Sequence, residues 1–242
     1  MLFRRLVKLF RPESPSLHRK ELGIDFISPI GINLEDRKQG IYSIPYLLDA
    51  TYSFAITDIP EIDKGIEILK EIPRETNIIA HLNKKRNTFN GAPKSLEASF
   101  ALLYDFVDAF IVSDFVNVEE LEPLLDLRLF QNEYRPIIIE IPEDYGTVEL
   151  DEVIAFALLN SIDGLMLRNP RLINYAHKKT SGYLCIIADG VKDEATMQCF
   201  LAAGASLVTV PHSQRRYFSL VRCGKYFTRA LIANEKAKSD CL

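Results

Sequence analysis

The chain has no tryptophan, and its four cysteines, Cys185, Cys199, Cys223 and Cys241, form no C-x-x-C pair. Neither a zinc site nor a disulfide framework is indicated. A reduced, cytosolic compartment is the simplest expectation. No apolar run approaches the roughly 20 residues that span a bilayer. No stretch is low in complexity, and no linker is rich in Gly, Pro and Ser. No G-x-G-x-x-G follows the first strand candidate, which weakens a dinucleotide-binding reading. With a net charge of −4, bulk charge gives no reason to expect nucleic acid. His18 lies early in the chain and His177 on a helix pattern. No two histidines share metal-ligand spacing with a carboxylate, so no metal is expected.

What is present is a chain of 242 residues, 48% of them apolar. That is enough for one large core or two small ones. The first ten residues, MLFRRLVKLF, stand apart. At about 100° per residue, Leu2, Phe3, Leu6, Val7, Leu9 and Phe10 share one face. Arg4, Arg5, Lys8 and Arg11 share the other, and Pro12 stops the helix. Two readings follow: a weak anchor in a membrane interface, or a helix that covers one end of the core. The organisation expected is an amphipathic helix and lead-in over 1–23, then a single domain over 24–242.

From residue 28 onward, short apolar runs alternate with helix-period segments. The strand candidates are Ser28–Leu34, Tyr52–Asp58, Asn77–Asn83, Asp108–Val112, Pro136–Ile141, Asp163–Arg168, Leu184–Ala188 and Ser206–Val210. Nearly continuous apolar character is what parallel strands buried on both faces show. Leu96–Phe106 and Glu149–Leu159 carry the clearest helix patterns. Val118–Arg128 and Asp193–Ala203 follow, and a helix over about Gln214 to Glu235 closes the series. Eight strand-helix units in this length predict a (β/α)8 TIM barrel. A doubly wound open sheet is the alternative. In such a barrel chemistry sits at the C-terminal strand ends. Those ends here carry a polar rim, which by itself names no reaction.

The order of segments resembles dihydroorotate dehydrogenase, the membrane-associated class that carries FMN. SPIGINLEDRKQG is similar to that family's first-strand segment, with Pro29, Gly31, Lys38 and Gly40 kept. IIAHLNKKRN, FVDAFIVS, RPIIIEIPED and SIDGLMLRNP resemble later strands in order. IIADGV followed by AGASLV resembles its phosphate-gripping segment. The basic amphipathic start is similar to that class's membrane-associated N-terminus. The resemblance implies an FMN-dependent oxidoreductase of pyrimidine biosynthesis. It makes Lys38 and Ser113 the catalytic candidates. His81, Glu140, Arg168, Gly190, Ser213, Arg215 and Arg216 become the cofactor-binding candidates.

The departures from that family pattern carry as much information. The substrate-binding segment between the second and third strands is replaced by EIDKGIEILKEIPRET. The catalytic loop after the fourth strand is replaced by SDFVNVEEL. On the same resemblance, Ser113 and His81 stand where the family has asparagines, and Glu140 where a lysine meets the flavin. Arg168 replaces a small hydroxyl residue and Asp189 a glycine near the phosphate. His212 and Ser213 replace the turn that completes the phosphate site.

Elementary electrostatics bears on these changes. A buried Glu140 needs a partner, and Arg168 on the next strand is the natural one, through a two-pronged hydrogen bond. Such a pair either fills the flavin's space or replaces the cation that the lysine supplied. A carboxylate about 4 Å from a phosphate costs on the order of 4 kcal/mol per charge pair at an effective dielectric of about 20. Asp189 therefore opposes FMN unless its side chain turns outward. Arg215 and Arg216 open the last helix, where an anion is favoured, so a small anionic or phosphate ligand between Gly190 and Ser213 stays open. Three functions are compatible. The first is a degenerate barrel without dihydroorotate oxidation, its FMN lost. The second is an active flavin- or phosphate-ligand enzyme with a changed substrate. The third is a scaffold with weak peripheral contact to the inner membrane face through residues 1–11.

Overall fold

The computed structural model describes residues 17–34, 41, 44, 52–72, 77–83, 87–115, 117–211 and 224–233. Eight strands close into a parallel barrel. They are β3 (Ile30–Asn33), β4 (Phe54–Asp58), β5 (Asn77–Asn83), β8 (Ala109–Ser113), β9 (Ile137–Glu140), β10 (Gly164–Leu167), β11 (Cys185–Asp189) and β12 (Leu207–Pro211). Each falls within or one residue beyond its sequence-predicted segment. Among the described residues two small hairpins add to these strands: β1 (Arg19–Glu21) with β2 (Ile24–Phe26), and β6 (Thr88–Phe89) with β7 (Ala92–Pro93).

Among the described residues, helices lie in the crossovers that follow β4, β7, β8, β9, β10 and β11. They are α1 (Ile62–Glu71), α2 (Leu96–Leu103), α3 (Glu122–Leu129), α4 (Thr147–Leu159), α5 (Pro170–Thr180) and α6 (Glu194–Ala202). Residues 224–233 are helical, matching part of the closing helix read from the sequence. Their starts carry local signals. The side chains of Ser95, Asn169 and Asp193 cap α2, α5 and α6 by accepting from backbone N–H groups. Pro170 opens α5, where its missing N–H costs nothing.

Inside the barrel, side chains alternate with period two and stack in layers. Phe26 plugs the N-terminal end and meets Phe54 edge-on, with ring centroids 5.3 Å apart. Ile56, Ile79, Ile111, Ile138, Met166 and Ile187 belong to the same buried apolar cluster. A second cluster lies outside the strands, against the helices. Two residues further along several of these strands, at the C-terminal mouth, the inward positions turn polar.

The N-terminal end is clamped by a buried cation. The Arg128 guanidinium donates to Asp163 Oδ2 at 2.8 Å and to the Ser161 carbonyl at 2.7 Å. It also lies 4.8 Å from the Tyr134 ring centroid. The Tyr134 hydroxyl donates to Asp163 in turn. Burial, then the neighbouring Asp163 carboxylate, hold that phenol well above its usual pKa. The Asp163 carboxylate also accepts from the Ile137 amide at 2.9 Å. One ion pair thus ties α3 to the starts of β9 and β10.

Candidate active site

Six of the eight barrel strands contribute to one polar relay at the mouth. Asp58 and His81 are register partners on β4 and β5. Asp58 Oδ1 lies 2.9 Å from His81 Nδ1. His81 Nε2 stands 3.0 Å from Glu140 Oε2 on β9, reaching past β8. That contact is an ion pair more than an aligned hydrogen bond. The other Glu140 oxygen meets an Arg168 terminal nitrogen at 2.7 Å. Arg168 Nε then donates to Asp189 Oδ2 at 3.0 Å, and Asp189 Oδ1 accepts from Thr209 on β12 at 2.5 Å. The side chains of His81 and Asp189 are buried, those of Asp58 and Glu140 are partly buried, and Arg168 is 31% exposed.

This arrangement satisfies elementary requirements. Both ring nitrogens of His81 face carboxylate oxygens, so the doubly protonated imidazolium is the form that fits both. Burial raises the Glu140 carboxyl and is the largest single effect. His81 and Arg168 together outweigh it, and the group sits below its ordinary value of 4.5. Charges alternate along the relay, so each buried ion has a partner of opposite sign.

The structure brings Glu140 and Arg168 together, as the sequence implied, but by a different contact. Arg168 does not fork onto Glu140 alone. It follows β10, which lies between β9 and β11, so its guanidinium divides between Glu140 and Asp189. Asp189 does not turn outward either: it is buried and held by Arg168 and Thr209. His81 and Asp58 are relay members that sequence reasoning did not join to Glu140. Inward parity would have found them, since both lie two residues beyond the core residues Ile56 and Ile79. Ser113 is buried at the end of β8, level with Asn83. Gly190 takes φ +101, a value its turn demands of a glycine whatever binds nearby. Lys38, Ser213, Arg215, Arg216 and the 1–11 segment lie outside the described residues.

Beside the relay opens a cleft of about 800 Å³ between the ends of β9 to β11 and the first turns of α5 and α6. Arg168 and Asp189 form one wall. Leu172 and Phe200 supply apolar surface, and Lys192 and Cys199 also line it. Among the described residues no His, Cys, Asp and Glu group is placed to hold a metal. No described helix is long and apolar enough to cross a membrane.

No family model and no curated protein matches this chain. Solved structures do. DHODH of Eimeria tenella in complex with ferulenol superposes with a TM-score of 0.72 at 14% identity, over 98% of this chain and 92% of that one. The ligand-free DHODH of the same organism gives 0.71 at 14% identity, over 94% and 91%. The fold is that of dihydroorotate dehydrogenase. The resemblance read from the segment order therefore holds at the level of the fold, and the closed barrel replaces the open-sheet alternative. On this DHODH-like frame the relay residues stand at strand ends, where barrels of this kind place their chemistry.

Proposed function

We propose that this chain is a DHODH-like barrel that has given up dihydroorotate oxidation and no longer carries FMN. The observation that supports this reading is the relay. Its members touch at 2.5 to 3.0 Å across six strands. A fused three-ring flavin could lie among them only by breaking these contacts and leaving buried ions without partners. Charge points the same way. Three carboxylates, Asp58, Glu140 and Asp189, face one guanidinium and one imidazole. A phosphate or an anionic reduced flavin placed against one of these carboxylates would meet like charge, at a cost on the order of 4 kcal/mol per close charge pair. The described relay residues do not fit FMN.

The test is direct. Purified protein should be colourless, should not quench FMN fluorescence on titration, and should not reduce a quinone or dye with dihydroorotate. A yellow preparation with turnover would overturn the proposal. The cleft beside Arg168 favours a second reading, in which a reshaped barrel binds another small molecule. An apolar surface with a few charged groups is the usual make-up of a ligand pocket, and its volume is in the usual range. This reading predicts that a bound small molecule slows alkylation of Cys199, the exposed thiol lining the cleft. Unchanged alkylation across a metabolite panel would remove its support.

A further inference from the structure

Exposed apolar side chains are not spread evenly over this barrel. Among the described residues eight large ones are half or more exposed: Leu129, Phe130, Tyr134, Val148, Leu158, Leu159, Tyr183 and Tyr226. All but Val148 and Tyr226 lie where α3, α4 and α5 end and turn back toward β9, β10 and β11. Those three strands are consecutive neighbours in the barrel, so the turns sit side by side at its N-terminal end. Phe130 is 85% exposed, and Leu159 and Tyr183 are each 84% exposed.

We infer that this arc is a self-association surface, on which a second copy of the chain docks. Its size fits. Six such side chains present on the order of 800 Å², about what one partner gives to a standard interface. The arc is also rigid before anything binds. The buried Arg128 bonds to Asp163 and to the Ser161 carbonyl, fixing the first turn to the second. Ser161 and Ser181 hold the second and third turns in left-handed conformations, with φ of 54° and 52°. A surface ordered in advance loses little freedom on docking. An isologous pair uses the same patch twice. With the α4 turn near the twofold axis, Phe130 of one copy faces Tyr183 of the other.

Analytical ultracentrifugation of the full chain over a wide concentration range tests this. The chain should shift with concentration from its mass of 27.5 kDa to twice that mass. The triple variant Phe130→Ser, Leu159→Ser, Tyr183→Ser should weaken the dissociation constant at least a hundredfold, with an unchanged circular dichroism melt. Val148→Ser, at the opposite end of the barrel, should leave it unchanged. A single-chain mass at every concentration, or a triple variant that pairs like the parent, would overturn the inference. So would a monomer that sediments with phosphatidylserine vesicles through these three residues, which would assign the arc to lipid.

Discussion

At the scale of single residues the molecule turns on Arg168, which holds the partly buried Glu140 and the buried Asp189 on the strands either side of its own. Arg168→Leu leaves Glu140 and Asp189 without that cation. Removing one partner of a buried pair typically costs about 3–5 kcal/mol, and urea unfolding should show a loss of that order. A loss under about 1 kcal/mol would mean the relay contributes little to holding the mouth together. Glu140 carries a pH dependence of defined sign. Its folded pKa is below the ordinary 4.5, so protons bind the unfolded chain more readily. The stability contributed by its ionised form is fully present above about pH 4.5 and is lost as pH falls through the folded value. The urea midpoint of the parent should therefore drop on acidification through that window, and Glu140→Gln should flatten the drop. Parallel curves for parent and variant would assign the acid sensitivity elsewhere. Glu140 and Arg168 were legible as a pair because a charged residue closing an apolar strand is conspicuous. Their division with Asp189, and the joining of His81 and Asp58, were not, because they depend on strand register and barrel curvature.

At the scale of elements, the eight barrel strands were legible because burial on both faces makes them continuously apolar. The hairpins β1 to β2 and β6 to β7 were not, because segments of two or three residues carry no period. Helix α1 was not read from the sequence, although Ile62, Ile66 and Leu69 recur at helical spacing. It contains Gly65, a residue that disfavours helix by about 1 kcal/mol relative to alanine. The glycine is there for packing: a Cβ at Gly65 would stand 2.3 Å from the Ile59 Cγ2 methyl. Gly65→Ala should thus lower the melting temperature, by the equivalent of about 1–2 kcal/mol net, although helix propensity alone favours alanine. A raised melting temperature would show that Ile59 yields easily. The clamp at the other end makes a second prediction. Arg128→Met strands Asp163 against β9 and β10, and should cost about 3–5 kcal/mol in urea. Exchange of the Ile137 amide, which donates to Asp163, should quicken in the variant. Normal protection there would contradict the clamp.

At the scale of the whole molecule, the barrel matches DHODH structures over nearly its full length, and the described side chains at its mouth bond to one another from strand to strand. Fold and site were separable in the sequence for a physical reason. The fold depends on the apolar alternation shared by every strand, and the site on a handful of inward positions at strand ends. On the function proposed above, the relay side chains stand where a flavin would otherwise lie. Equilibrium dialysis of the full chain against excess FMN, followed by an absorbance spectrum of the washed protein, tests it most directly. No flavin bands should stand above the protein background. Stoichiometric flavin absorbance retained after washing would contradict it.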